Sequence, residues 1–212
     1  MKTDDLIATL ASDPAVLPLR ANRIGAGIVA LTMVCVAAFL MLAGLRSDLL
    51  AALTTPVVAA KTVLPLLLCG VALFTVLRMM RPEGADTARY HGIGWLVLAL
   101  CLMLFVIGFS TQTRPQWFGE LSPLSVGQCL GFIVLLSLPA LAVSFALVRK
   151  GASTAPARSG AALGLAVSAG AAAGYSLYCT QDNPIFFVTW YGLAILIVTA
   201  LGAVAGDRFL RW

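Results

Sequence analysis

Charged residues are scarce in this chain. Only 11% of its 212 residues are Asp, Glu, Lys or Arg, whereas 60% are hydrophobic. A soluble domain carries about 25% charged residues. The most extended polar stretch is the N-terminal segment 1–23, which is too short to form a core of its own. These proportions predict an integral membrane protein without a soluble domain.

Histidine and closely spaced cysteines are lacking too. His91 is the single histidine, and none of the five cysteines belongs to a CxxC pair. This argues against a zinc ribbon or a thioredoxin-type site. The sequence contains no HExxH, GxSxG or phosphate-binding-loop motif. We therefore expect no enzyme activity, no resident cofactor and no direct binding of nucleic acid.

Six apolar runs, each near the roughly 20 residues needed to cross a bilayer, follow the N-terminal segment. They are Ile24–Leu45, Pro56–Leu77, Gly92–Ser110, Val126–Val148, Gly160–Cys179 and Phe187–Ala205. The sequence predicts an all-α membrane protein in which residues 24–212 form a bundle of six transmembrane helices with short loops.

The basic residues predict the orientation of this bundle. Eleven of the fourteen Lys and Arg residues lie in the N-terminal segment, the second and fourth loops and the C-terminus. Cytoplasmic loops carry the excess of Lys and Arg, so both termini are expected in the cytoplasm. Of the other three, Arg46 and Arg114 lie in outer loops, and Lys61 lies within the second span near its outer end. Snorkelling to the outer surface is the favoured interpretation of Lys61, and a functional intramembrane charge is the alternative.

The N-terminal segment is predicted to form a short amphipathic helix. Asp4 and Asp5 suit a first helical turn, and Leu6, Ile7 and Leu10 form one narrow apolar stripe. A helix of about two turns is marginal alone. We expect the bilayer surface or a partner protein to support it.

The five cysteines differ in depth. Cys35, Cys69 and Cys101 lie near the middle of the first three spans and are expected to be small core residues. Cys129 opens the fourth span and Cys179 closes the fifth, so antiparallel packing of these spans brings both thiols to the outer boundary, in an oxidising compartment. Such a pair could form a disulfide, hold a soft metal ion or react with an oxidant. Two unrelated interfacial cysteines are the alternative.

The stretch between the fifth and sixth spans is rich in aromatic residues. They are expected to form a girdle at the lipid headgroups, and they comprise Tyr175, Tyr178, Phe186, Phe187, Trp190 and Tyr191. Both spans also contain glycines in small-xxx-small spacing, which predicts close helix packing or a homodimer face. These glycines are Gly160, Gly164, Gly170, Gly174, Gly202 and Gly206.

Several of these features together resemble one family. They are the opening MKTDDLIATLASD, the six spans, Cys129 ahead of Ser137-Leu138-Pro139, and Cys179 ahead of FFVTWY. The chain resembles the NrsF family, membrane-embedded anti-sigma factors named as negative regulators of sigma F. The resemblance implies that the protein holds an extracytoplasmic-function sigma factor at the membrane and releases it under heavy-metal or oxidative stress.

The resemblance also implies roles for particular residues. Two periplasmic-side cysteines are associated with sensing in that family, and they correspond to Cys129 and Cys179 here. The cytoplasmic surface for the sigma factor is inferred from expected exposure, and not from a matched motif, to include the five N-terminal residues Asp4, Asp5, Leu6, Ile7 and Leu10, together with the Arg78–Arg89 loop. A homo-oligomer is compatible with this reading.

Three other functions fit parts of the sequence. A small transporter or channel would use Lys61 along its path and show Lys61-dependent flux. A membrane thiol oxidoreductase would use Cys129 and Cys179 and turn over a thiol substrate. A purely structural membrane protein would tolerate the loss of both cysteines.

Overall fold

The computed structural model of the protein describes residues 3–5, 7, 12, 20–81, 91–111 and 122–211, with residues 91–94 as backbone only. The described residues form helices joined by short loops, and no strand occurs among them. The helices are α1 (Ala21–Ala43), α2 (Leu49–Leu53), α3 (Pro56–Met79), α4 (His91–Thr111), α5 (Pro123–Val148), α6 (Pro156–Tyr175) and α7 (Pro184–Phe209). Each predicted apolar run coincides with one long helix, and its bounds agree within four residues.

Proline and short polar side chains set where the helices begin. Proline occupies the first turn of α3, α5, α6 and α7, where its missing N–H is not needed. The Ser122 hydroxyl accepts a hydrogen bond from the Ser125 N–H at 3.0 Å. The Asn183 side chain likewise accepts from the Ile185 N–H at 3.0 Å. These caps fix the starts of α5 and α7 at Pro123 and Pro184.

Backbone hydrogen bonds between loops define the two ends of the bundle. The Arg46 N–H donates to the Leu177 carbonyl at 3.2 Å, and the Ala152 N–H donates to the Met80 carbonyl at 3.1 Å. The loops 44–55 and 176–183 therefore meet at one end, here called the cysteine end. Residues 80–81 and 149–155 meet at the other, here called the arginine end. Successive long helices run in alternating directions between the two ends.

Four helices, α1, α3, α5 and α7, are long and apolar enough to cross a membrane. This confirms an all-helical chain with membrane-like helices. In α4, the apolar segment Trp95–Thr111 is shorter. Helix α6 differs from all of them, because most of its residues are buried. It is rich in alanine and glycine, as suits a helix that touches protein on most sides.

The glycines of α6 and α7 bring these two helices into backbone contact. A Cβ added to Gly164 would lie 2.6 Å from the Val198 carbonyl oxygen, and one added to Gly206 would lie 2.6 Å from that of Pro156. Gly174 faces Val36 of α1. The predicted close packing is confirmed. Because these faces are covered within one chain, they are not free to form a homodimer surface.

Candidate functional site

The two boundary cysteines lie in contact at the cysteine end. The Sγ atoms of Cys129 and Cys179 are 3.8 Å apart, and both residues are buried. The predicted proximity is confirmed, with two changes of detail. Cys129 lies in the second turn of α5 because that helix begins at Pro123. Cys179 lies beyond α6, where its N–H donates to the Tyr175 carbonyl at 3.1 Å.

The aromatic residues around this pair face the protein interior. Tyr175, Phe186, Phe187 and Tyr191 are each at most 4% exposed, and the Tyr175 and Tyr191 ring centroids are 5.8 Å apart. The predicted girdle at the lipid headgroups is therefore wrong for these four residues. The reason is that α6 is enclosed, so the aromatic residues at its end pack against neighbouring helices rather than lipid.

Lys61 of α3 is fully buried beside Cys179. Its Nζ donates to the carbonyl oxygens of Cys179 at 2.8 Å and Gln181 at 2.7 Å, and it lies 3.3 Å from Asp182 Oδ1. The favoured prediction that Lys61 snorkels to the surface is wrong. Segment 176–183 folds over the ammonium group and supplies the acceptors that water would otherwise provide.

Arg46 forms the other half of this charged cluster. Its guanidinium bonds Asp48 Oδ1 at 2.8 Å and Asp182 Oδ2 at 2.9 Å, and it lies 3.4 Å from the Cys179 carbonyl oxygen. The Arg46 side chain is only 3% exposed. Two cations, Arg46 and Lys61, are thus balanced by two carboxylates at the cysteine end.

A cleft of about 250 Å³ connects the surface with the two thiols. Its lining residues include Cys129, Cys179, Arg46, Gln128 and Thr180, of which Gln128 and Thr180 are exposed. A small polar reagent can therefore approach the pair from the cysteine end without crossing the apolar core.

Comparison with known proteins identifies the family. A family described as "Negative regulator of sigma F" matches residues 10–212. The chain belongs to this NrsF family. The "Probable anti-sigma-F factor NrsF" of Azospira oryzae is 34% identical over 221 residues, and the "Anti-sigma-F factor NrsF" of Caulobacter vibrioides is 32% identical over 224 residues. Both alignments cover the whole of each chain. No solved structure matches the chain.

Family membership confirms the resemblance found in the sequence and its regulatory, non-enzymatic character. The family match starts at residue 10, so it excludes the opening MKTDDLIAT, although the two full-length relatives align over this part as well.

The electrostatic surroundings of Cys179 differ from those of an ordinary thiol. The hydrogen bond from Cys129 lowers the pKa of Cys179, burial raises it, and the nearby Lys61 charge lowers it further, with a net decrease. Hydrogen bonds from Arg46 likewise lower the pKa of Asp48. These contacts at the cysteine end therefore stabilise negative charge on Cys179 and on Asp48.

The spacing of the thiols bears on what they can bind. In a tetrahedral site with metal–sulfur bonds of about 2.3 Å, two sulfur ligands lie about 3.8 Å apart. The observed Sγ–Sγ distance is also 3.8 Å, so the pair can supply two ligands to a thiophilic ion. Among the described residues, no group of three or more His, Cys, Asp or Glu side chains is arranged to hold a metal.

The predicted sigma-binding residues lie apart from the thiol pair in sequence, and the structure describes only some of them. Asp4, Asp5 and Ile7 are helical and exposed, whereas Leu6 and Leu10 lie outside the described residues. In the second predicted part, Arg78 is exposed and its guanidinium lies 5.1 Å from the centroid of the Phe74 ring. Most of the following loop lies outside the described residues.

Sequence reasoning missed the charged cluster. The sequence assigned no role in a site to Arg46 or to Asp182. The available signal was chemical: Lys61 is the single charge between Pro56 and Leu77, and Asp182 is the single charge between Tyr175 and Tyr191. An intramembrane cation calls for an anion at the same depth, and Asp182 meets that need.

Proposed function

We propose that the protein holds a sigma factor at the bacterial inner membrane and releases it when the Cys129–Cys179 pair is modified. The observation that carries this proposal is the buried contact of these two thiols, 3.8 Å apart, in a chain of the NrsF family. The sigma factor is of the extracytoplasmic-function class, and the modifying agents are heavy-metal ions and oxidants.

The proposed topology has six membrane spans with both termini in the cytoplasm. Helices α4 and α6 contain 21 and 20 residues, and 20 helical residues extend about 30 Å, enough to cross the hydrocarbon core. The alternating helix directions suit this topology. The exposed Arg81, Arg149 and Lys150 favour a cytoplasmic arginine end, since such loops concentrate positive charge. The cysteine end then faces the periplasm.

The sigma factor is proposed to dock on cytoplasmic segments. The N-terminal segment 1–23 is proposed to form a docking segment separate from the membrane domain 24–212. The exposure of Asp4, Asp5 and Ile7 supports this assignment, with Leu6 and Leu10 completing the surface. The Arg78–Arg89 loop adjoins it in the proposed topology.

Two chemical events at the thiol pair fit the proposal. An oxidant that accepts two electrons and two protons would leave a disulfide, which requires the sulfurs to approach to about 2.05 Å, a shift of roughly 1.8 Å. A soft metal ion would displace two thiol protons and bond both sulfurs near their present spacing. The disulfide favours a different packing of segment 176–183 against α5 because the sulfurs must approach, and the metal favours a packing that opens further ligand positions beside the two sulfurs.

The size of the required energetic bias is modest. Moving a two-state equilibrium from 1:99 to 99:1 needs a preference of about 5.5 kcal/mol for one state. A disulfide or two metal–thiolate bonds present in only one packing state can supply this. The sigma factor then dissociates because the cytoplasmic segments on which it docks no longer have the arrangement that it binds.

Co-purification tests the proposal. The tagged protein is isolated in mild detergent from its own cells, before and after cadmium or diamide treatment, and bound proteins are identified by mass spectrometry. The expected result is a sigma factor present at rest and lost under stress. Light scattering of the same sample shows whether the complex contains one copy of the chain or several.

Cysteine variants make this test specific. Cys129→Ser and Cys179→Ser are expected to retain the sigma factor under stress. Cys35→Ser is the matched control, since Cys35 lies in α1 and packs against a hydrophobic cluster that does not contain the pair, and it should behave as wild type. Normal stress-induced release in both variants of the pair would overturn the sensing role, and absence of any sigma factor would overturn the proposed function.

A further inference from the structure

Lys61 is the one cation that α3 carries between Pro56 and Leu77, and its hydrogen bonds lead to the segment with Cys179. Two of its acceptors are backbone carbonyls, those of Cys179 and Gln181. The third contact is Asp182. A lysine that only neutralised a carboxylate would not need the two carbonyls. Their presence ties the course of this backbone to α3.

Asp182 holds Lys61 and Arg46 in one place. Its Oδ1 lies 3.3 Å from Lys61 Nζ, and its Oδ2 lies 2.9 Å from the Arg46 guanidinium. The Cys179 carbonyl oxygen lies within reach of both cations, at 2.8 Å from Lys61 and 3.4 Å from Arg46. Segment 176–183 is thereby fixed on one side while its cysteine sulfur faces Cys129 on the other.

We propose that Lys61, held by Asp182, is the positioning residue of the thiol pair: its ammonium group fixes the Cys179 backbone to α3 and so sets the distance between the two sulfurs. Lys61 does not take part in the reaction of the two sulfurs. It acts through the backbone of Cys179. Loss of its charge frees segment 176–183 to move relative to α5, so the two sulfurs meet in bonding geometry less often.

The attachment of the Cys179 backbone to α3 also connects the thiol pair to the arginine end through that helix. The role of this connection in release rests on the proposed function. Lys61 and Met79 are separated by 18 residues of α3, which is about 27 Å of helix. Beyond them, the Met80 carbonyl accepts a hydrogen bond from Ala152 at 3.1 Å. A movement of segment 176–183 therefore pulls on a helix whose far end contacts the 149–155 loop.

The first test measures thiol bridging in the full-length protein. Cys35, Cys69 and Cys101 are replaced by alanine so that the pair alone remains, and diamide is added to membranes. The N=N bond of diamide accepts two electrons and two protons from the thiols as the S–S bond forms. Mass-tagging of the remaining free thiols gives the rate of bridging.

Three variants in this background are compared. Lys61→Met should slow bridging by about tenfold or more, because small misplacements of reacting atoms have large effects on rate. Lys61→Arg keeps the charge and the donors and should recover most of the rate. Thr75→Val removes a hydrogen bond that stays within α3, from the Thr75 hydroxyl to the Val71 carbonyl at 2.9 Å, and should leave the rate within about twofold of the parent.

The outcomes separate positioning from mere stability. Equal bridging rates for Lys61→Met and Thr75→Val would overturn the proposal, as would equal losses in Lys61→Arg and Lys61→Met. Should Lys61→Met fail to fold, Asp182→Asn replaces it, since it leaves Lys61 both carbonyl acceptors. A partial loss of rate is then expected, and an unchanged rate contradicts the proposal.

A reporter for the sigma factor distinguishes this inference from the proposed function. Stress induction that persists in both Cys129→Ser and Cys179→Ser would end the sensing role of the proposed function, whereas the bridging rates would still decide the role of Lys61. If sensing holds, Lys61→Met should blunt induction and Lys61→Arg should restore it.

Discussion

Helices α6 and α7 are held together differently at their two ends. At the arginine end, glycine brings backbone against backbone: a Cβ on Gly206 would lie 2.7 Å from the Gly160 Cα. At the cysteine end, segment 176–183 connects the same two helices, and this segment is held by the Lys61 ammonium group and the Arg46 guanidinium. Backbone contacts of this kind respond to no solute. Thiols and buried charges respond to metals, oxidants and protons, so the cysteine end is suited to change and the arginine end to stay closed.

Ion pairs show the same contrast. Asp182 meets two buried cations, Arg46 and Lys61, whose side chains are 3% and 0% exposed. Asp207 meets Arg211 across one turn of α7, with side chains 49% and 67% exposed. Exposed pairs contribute about 0–1 kcal/mol, whereas removal of one partner from a buried pair costs about 3–5 kcal/mol. Both ends contain carboxylate–cation pairs, and burial decides how much each pair contributes to the free energy of unfolding.

The largest effect is expected from Asp182→Asn. This change leaves Arg46 and Lys61 close together without their shared carboxylate, and it should reduce the free energy of unfolding by about 3 kcal/mol. Thermal unfolding in detergent, followed by circular dichroism, measures it. Asp207→Asn is the matched control at the arginine end, with an expected loss below about 1 kcal/mol. Equal losses in both variants would contradict the difference between the two ends.

Adding a methyl group to the glycine contact between α6 and α7 is expected to have the next largest effect on stability. Gly206→Ala places a methyl group against the Pro156 carbonyl and Gly160, and overpacking of this kind costs about 1–3 kcal/mol. Gly192→Ala, on the same helix with nothing within 4 Å of the added Cβ, should be neutral or stabilising by up to about 1 kcal/mol. The same unfolding measurement ranks them, and a tolerated Gly206→Ala would refute backbone contact as the closure of the arginine end.

Replacing either thiol should alter function more than stability. Cys129→Ser exchanges a buried thiol for a hydroxyl of similar size and should cost about 1 kcal/mol, while stress induction is lost. A sigma-dependent reporter together with unfolding curves gives both values. Loss of stability comparable to that of Asp182→Asn would mean that the pair is a structural element.

The smallest effect concerns Asp48, whose carboxylate is hydrogen-bonded by Arg46 at 2.8 Å. Because this bond lowers the pKa of Asp48, its stabilisation is fully present above its unfolded-state pKa of about 3.9 and is lost as the pH falls through the lower, folded-state pKa. The melting temperatures of the protein and Asp48→Asn should therefore differ by a constant amount from neutral to mildly acidic pH and converge below about pH 4. A difference that grew on acidification would have the wrong sign.

The helices of this fold were predictable from the sequence, whereas the charged cluster was not. A span needs a run of about 20 apolar residues, and this requirement marked all six long helices. Antiparallel packing of the fourth and fifth spans, with both cysteines at the outer boundary, then predicted that Cys129 lies beside Cys179. The meeting of Arg46, Lys61 and Asp182 depends on how segment 176–183 folds back over α3, and no local pattern encodes that fold.

The error over the aromatic residues has an identifiable cause. Tyr175 and Tyr191 suited a headgroup girdle only if α6 and α7 faced lipid at that depth. The many alanines and glycines of α6 already indicated a helix enclosed by protein. That composition predicts that the aromatic residues at the end of α6 lie in the core with Cys179.

The most direct test of the account uses the purified complex of the full-length protein and its sigma factor. Cadmium or diamide is added in detergent, and the fraction of sigma factor that leaves the complex is measured by size-exclusion chromatography. The account predicts release from the wild-type protein and retention by Cys129→Ser. Release from both proteins alike, or from neither, would contradict the claim that the thiol pair controls the hold on the sigma factor.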